Sequence, residues 1–242
     1  MRLCLLALAV FPALAQAQTI TDARLTGPTD RYPHGVLGTP SEHDTLSVTL
    51  ADGRQLAARW PAPMVFEDTN PRVVDLNGDG AAEVVVVQSH ETFGAQLAIW
   101  GLRDGALQPV VAGPHIGTRF RWLAVAGAAD LDGDGAIEIA YIDRPHLARE
   151  LVVVRISQAA DVWSLREIAR SPGLTNHRIG QTDIAGGIRD CGQGPDIITA
   201  NADWSRIIAT RLHDGRLQQT DIGRHNGADS FAMALRCAPL PD

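Results

Sequence analysis

An all-β fold built from repeated small sheets is predicted by three features of the 242-residue chain: an acidic, glycine-rich segment that recurs, Asp-Gly turns at matching intervals, and short Val- and Ile-rich runs with no competing helical period. The acidic segment is Val74-Asp75-Leu76-Asn77-Gly78-Asp79-Gly80-Ala81-Ala82-Glu83-Val84. It returns 55 residues later as Ala129-Asp130-Leu131-Asp132-Gly133-Asp134-Gly135-Ala136-Ile137-Glu138-Ile139. A further offset of 59 lays Ala126-Gly127 on Ala185-Gly186, Gly133 on Gly192 and Gly135 on Gly194. This third copy keeps the turn but has Arg189, Cys191 and Gln193 in place of Asp130, Asp132 and Asp134. An offset of 46 then carries Arg178, Asp183 and Cys191 onto Arg224, Asp229 and Cys237, which predicts a fourth copy of the preceding strand at 231–236.

Asp52-Gly53, Asp104-Gly105 and Asp214-Gly215 each separate two apolar-rich runs, as a tight β-hairpin requires. Ala160-Asp161 fills the gap in that series. Four hairpins therefore match four units of about 50 residues, each a sheet of strands a to d that cannot bury both faces alone. Strand a ends at the acidic loop, b follows at 83–87, 137–142 and 196–200, and c and d flank the Asp-Gly turn. The first unit has c and d at 44–50 and 54–60 and b at 34–38, and it lacks strand a. The expected architecture is a small β-propeller of about four blades in a single domain, 18–242, with segment 231–236 pairing at the N-terminal unit to close the ring and remove its edges.

All 21 basic residues are Arg, the net charge is −7, and no basic tract occurs, which argues against nucleic acid and anionic membranes as partners. Arg2, an apolar stretch over 4–14 and Ala15-Gln16-Ala17 read as a signal peptide, 1–17, so a periplasmic or secreted protein is expected. That stretch is too short to span a bilayer core of about 30 Å. Cys191 and Cys237 remain for one disulfide in an oxidising compartment, where it would latch the closing strand to its neighbour.

The spacing D-x-[DN]-x-D-G-x-x-E places oxygen donors at loop positions 1, 3, 5 and 9, with a carbonyl at 7. Hard oxygen donors at this density suit Ca²⁺. An EF-hand would need a bidentate Glu at position 12, where Val86 and Tyr141 stand. At these residues the sequence resembles the FG-GAP, or VCBS-type, repeats of integrin α-subunit propellers and of exported bacterial proteins, clearly over 73–87 and 125–142. The resemblance implies a structural Ca²⁺ held by Asp75, Asn77, Asp79, the Ala81 carbonyl and Glu83, and a second held by Asp130, Asp132, Asp134, the Ala136 carbonyl and Glu138. Two departures stand out: the last ligand is Glu where the family usually has Asp, and the length suits four units where integrin-type propellers have seven.

In a propeller the end opposite the acidic loops would collect Arg119, Arg178 and Arg224, equivalent under the repeat offsets, with Arg121, Trp122, Asn176 and His177. These are the candidate ligand-binding residues. Arginine recognises carboxylates bidentately and Trp offers a stacking face, so a protein or an acidic glycan is the expected partner. The competing reading pairs each Arg with a neighbour such as Asp183 or Asp229. Arg144, His146, Asp203 and Trp204, with Tyr32, His34 and His43, belong to the same end. No H-E-x-x-H, G-x-S-x-G or phosphate-binding glycine motif appears, so no catalytic residue is assigned. The alternative is a lyase or hydrolase of anionic polysaccharide in which His177 or Tyr32 moves a proton. Trp60, Trp100 and Trp163 fall on expected strands and read as packing between sheets.

Overall fold

A computed structural model of the chain describes residues 18–241; the signal peptide expected at 1–17 lies outside them. Strands hold 53% of the described residues and helix 4%, which gives the all-β class. β1 (Ile20–Thr29), β2 (Glu42–Leu50) and β3 (Gln55–Arg59) form an antiparallel trio, followed by the short β4 (Met64–Phe66). Next comes a four-stranded meander of β5 (Arg72–Val74), β6 (Glu83–His90), β7 (Gly94–Arg103) and β8 (Ala106–Ala112). The second meander has β9 (Leu123–Ala129), β10 (Glu138–Asp143), β11 (Glu150–Ala159) and β12 (Val162–Pro172). After the two-residue β13 (Leu174–Thr175), the third comprises β14 (Gly187–Asp190), β15 (Pro195–Asn201), β16 (Arg206–His213) and β17 (Arg216–Arg224), and α1 (Ala228–Leu235) ends the order. Strands c and d stand where the Asp-Gly turns put them, including the hairpin at Ala160-Asp161, and strand b stands as expected in the three meanders.

The three meanders stack face to face because their inner strands are apolar on both sides. Val84, Val86 and Trp100 face the N-terminal trio, whereas Val85, Val87, Leu97 and Ile99 face the second meander. In the second, Ile139 and Val152 point back, while Ala140, Ile142, Leu151 and Val153 point on to Ile197 and Ile208 of the third. Ile198 and Ile207 face the other way, into the layer under α1. Alternate residues enter alternate layers, so the sequence shows continuous apolar runs rather than half-polar strands. Each such Val or Ile side chain contributes about 1.5–3 kcal/mol when removed from water.

Two expected strands are absent. Segment 231–236 lies largely in α1, where Phe231 and Ala234, three residues apart, bury one helical face against Ile198, Ala200, Ile207 and Ala209. Segment 34–38 is a loop, and β1 takes the place beside β2. Among the described residues no strand pairing joins the trio to the third meander, so the ring closure expected from a terminal strand is not present. Instead β4 links β2 to β6, and the resulting eight-stranded sheet curls as a half-barrel over the layer holding Leu46, Phe66 and Trp100. The disulfide joins Cys191 to Cys237 with Cα atoms 5.8 Å apart, tying the β14–β15 loop to the end of α1 rather than to a closing strand. No helix among the described residues is long and apolar enough to cross a membrane.

A strap formed by residues 30–41 does part of the work of closure. Val36 and Leu37 are buried in the layer between the first two meanders, and the Gly180 amide donates to the Val36 carbonyl at 2.9 Å. Gly38 is left-handed, at φ +68°, and lies so close to the Gly180 carbonyl that a Cβ would collide with it.

Candidate functional site

The acidic loops and the Asp-Gly turns share one end of the stack. In the first loop Asp75 accepts the Gly78 and Gly80 amides at 2.8 and 2.9 Å, Asn77 accepts Asp79 at 3.1 Å, Asp79 accepts Ala81 at 2.7 Å, and Glu83 accepts Leu76 at 3.1 Å. The second loop repeats the pattern: Asp130 accepts Gly133 and Gly135, Asp134 accepts Ala136, and Glu138 accepts Leu131. Side chains that accept the loop's own amides fix the turn, and both oxygens of Asp75 and of Asp130 are used this way.

The third loop corrects the sequence alignment. Six residues, 190–195, separate the paired Arg189 and Asp196, against eight, 130–137, between Ala129 and Glu138. Asp190 therefore stands where Asp130 does, accepting the Gly192 and Gly194 amides at 2.7 and 3.1 Å, so the third copy retains its first carboxylate.

The two complete loops differ in fitness for a cation. Oxygen atoms of Asp130, Asp132 and Glu138 lie within 4.8 Å of one another, a grouping able to hold a metal ion. The Arg155 guanidinium is already there, donating to Asp132, Asp134 and Glu138 at 2.6, 2.7 and 2.6 Å. At the matching place beside Glu83 stands Gly101, where a Cβ would sit 3.5 Å from the Glu83 Cγ. A cavity of about 210 Å³ opens there, bounded by Asn77, Asp79, Ala81, Glu83 and Gly101. Burial pushes the Glu83 carboxyl up to about 7, with Asp79 and Asp75 adding repulsion and the Leu76 amide opposing. The first loop's carboxylates have no arginine among them in the described residues; the second loop's are answered by Arg155.

The opposite end does not gather the three equivalent arginines. Arg119 lies over Phe120 at 4.4 Å and Arg178 over Trp204 at 4.5 Å, while His225, next to Arg224, meets Trp204 edge-on. None of the three forms an ion pair with Asp183 or Asp229 among the described residues, so aromatic faces, not carboxylates, hold Arg119 and Arg178. Asn176 and His177 are buried at 0% and 1% exposure, and Asn176 donates to the Ala124 carbonyl at 3.2 Å. Trp122, 2% exposed, donates its indole N–H to the Glu67 carbonyl at 2.7 Å.

What does converge is a pocket of about 250 Å³ lined by His34, Phe120, Arg121, Trp122, Arg144 and His146. Leu147 and Ile179, exposed at 61% and 71%, form its apolar rim. The two imidazoles are fixed from behind. His34 bonds through Nδ1 to the fully buried Glu67, which also accepts the Ser89 hydroxyl. His177 Nε2 meets the Gln181 carbonyl at 2.9 Å and must carry its proton there. Its Nδ1 consequently accepts from His146 Nε2 at 3.0 Å, leaving the His146 Nδ1 lone pair without a partner among the described residues. Burial pulls His146 down to about 4, with His177 and His34 adding to the effect, so it stays neutral. Arg144 is neutralised by Asp143 at 2.9 and 2.8 Å, whereas among the described residues the Arg121 side chain bonds only to the Phe120 carbonyl at 2.9 Å.

Sequence reasoning placed Arg121, Trp122, His34 and His146 at this end but missed Glu67, Ser89 and Phe120. The available signal was Glu67-Asp68 directly after the apolar Met64-Val65-Phe66, a pair of acids carried inside by a buried strand. Glu42 lies in the same acidic neighbourhood, 2% exposed. Burial lifts its carboxyl from 4.5 to about 8, with Glu67 and Asp68 adding repulsion. Its stabilising contribution is therefore full below 4.5 and is lost as pH rises through about 8. Glu42→Gln should match the parent near the lower limit and melt progressively higher than it by about pH 9. Thermal melts across that range check this, and a difference independent of pH would refute it.

An FG-GAP-like repeat family model matches residues 75–141, a span that begins at the first acidic loop and ends inside β10 beyond the second. A comparison with curated proteins gives no match.

Proposed function

Starting from a chain that carries an FG-GAP-like repeat over residues 75–141, we propose that it is an exported, Ca²⁺-stabilised β-repeat module whose pocket at the end opposite the acidic loops binds an acidic glycan. The disulfide supports an oxidising, periplasmic or secreted location. The first loop supplies the hard-oxygen set for Ca²⁺ in a structural role, at Asp75, Asn77, Asp79, the Ala81 carbonyl and Glu83.

One observation carries the ligand reading: Arg121, a pocket cation with no carboxylate partner among the described residues, lies beside the Phe120, Trp122 and His146 rings. A guanidinium takes a carboxylate bidentately, and the part-buried His146 imidazole lines the same pocket beside it. Arg121→Ala removes no buried ion pair, so the fold should be retained. Binding to uronate-containing oligosaccharides on an array should fall by about tenfold or more, as loss of a charge-assisted pair of about 1.5–3 kcal/mol implies. Equal binding by parent and variant, or binding only to protein partners, would sink the glycan reading.

A hydrolytic or lyase reading is favoured by one feature, the His34–Glu67 pair with His146 lining the same pocket. His177 and Tyr32, the expected proton carriers, are each 1% exposed, so His34 and His146 take that place. Turnover of the same oligosaccharides that disappears in His34→Ala would select this reading over simple binding.

A further inference from the structure

The residue across the strand pair from loop position 9 is Arg in the second and third meanders and Gly in the first. Glu83 has Gly101 beside it, Glu138 pairs directly with Arg155, and Asp196 accepts from Arg211 at 2.9 and 2.7 Å. The inward carboxylate is common to all three, and the charge that answers it is not.

We propose that Arg155 is a tethered cation that takes the place of a metal ion in the second acidic loop, so that the chain binds one Ca²⁺, in the first loop, and not the two its pair of matching motifs implies. The inference rests on the Ca²⁺ reading of the first loop given above. Its warrant is geometric. The guanidinium spans the carboxylates at loop positions 3, 5 and 9 with one nitrogen on each, all between 2.6 and 2.7 Å. A metal ion in that loop would need the same three side chains. Occupancy by both would place two cations among one set of oxygens, and an arginine stays protonated at any accessible pH, so it cannot yield by losing its charge. Arg155 is anchored on β11 opposite Glu138, and its side chain is 23% exposed, held along its length rather than reaching in from solvent.

The first loop has no such occupant among the described residues. Its position 3 is Asn77, whose amide nitrogen donates to Asp79 at 2.9 Å and Gln158 at 2.6 Å, and Gly101, opposite Glu83, brings no side chain to the cavity it lines. The two loops thus differ in which cation they were built around, although their motifs match at four of five ligand positions.

Isothermal titration of CaCl₂ into the disulfide-intact protein at neutral pH tests this directly, with no variant required. One site per chain is the expected result, and Asp79→Asn should abolish it. Two sites in the parent protein would overturn the inference while leaving the Ca²⁺ reading intact; no binding at all would overturn that reading and with it the inference. Arg155→Ala should raise the stoichiometry from one to two, with a melting temperature lowered in chelator and recovered in CaCl₂. A folded Arg155→Ala protein that still binds a single ion would show that Arg155 is not what excludes the second.

Discussion

Replacing Cys191 and Cys237 together by Ser is expected to lower the thermal midpoint by roughly 10 °C. The bond closes a segment with a sequence separation of 46. Loss of that constraint on the unfolded chain is worth about 4 kcal/mol in the chain-entropy account, at about 2–4 °C per kcal/mol for a protein of this size. The native-state consequence is local. Without the bond α1 is held by Phe231 and Ala234 in their apolar layer, by the Arg189 guanidinium donating to the Ala234 carbonyl at 2.6 Å, and by the Arg224 amide donating to Pro241 at 2.9 Å. Amide exchange should therefore accelerate first in α1 and in β15 beneath it. Calorimetry on parent and variant decides: a midpoint within about 2 °C of the parent would mean that packing alone secures the helix.

Trp100→Ala is expected to cost about 3–5 kcal/mol, the range for removing a large aromatic side chain from a packed interior. Trp100 is 3% exposed, at the centre of an aromatic group with Trp60 at 5.3 Å and Phe66 at 5.5 Å between ring centroids. Its indole N–H donates to Gln88 at 3.3 Å, but Gln88 also accepts from Trp60 at 3.1 Å, so the substitution orphans no acceptor. The loss is cavity and dispersion, and the variant should retain the parent's far-UV spectrum with a midpoint lower by roughly 10 °C. Trp163, only partly buried at the edge of its layer, should cost far less when cut to Ala. Equal losses at the two positions would contradict the layered packing described above.

The contrast between these tryptophans marks what was legible in the chain. Short-range chemistry could be read directly: Asp104-Gly105 demands a hairpin, and Asp75 to Glu83 demands a loop dense in oxygen donors, whatever the rest of the chain does. Two-sided burial was legible too, in runs such as Val84-Val85-Val86-Val87. β1 was not, because its outer side faces solvent and its sequence carries Thr, Asp, Arg and the Gly27-Pro28 pair, a composition shared with loops. α1 was misread because eight residues barely complete two turns, and Phe231-Ala232-Met233-Ala234 is as apolar as a strand. The offset that aligned Cys191 with Cys237 matched two bonded residues and not two repeats. In the third loop the loss of two residues moved the surviving carboxylate to Asp190, outside a fixed-offset alignment.

At the candidate site the limit was of another kind. Arg121, Trp122, His34 and His146 were placed at the right end by topology, but the partners that decide their chemistry lie far away in sequence. Glu67 is 33 residues from His34, and His177 is 31 from His146. The three arginines of the repeat offsets were expected to converge near an axis. With no ring to converge them, Arg119 and Arg178 settle on separate aromatic faces.

The strap gives the pocket a mechanical character. His34 belongs to the strap, Trp122 leads into the second meander, and Ile179 sits in the Arg178–Gln181 turn that the Val36–Gly180 hydrogen bond pins in place. The cleft is bounded by segments from the front, middle and back of the stack, so its width gauges how far the arc is splayed. A ligand seated there would touch the strap, the second meander and the turn before the third at once, so its affinity would report on how those three segments are held together.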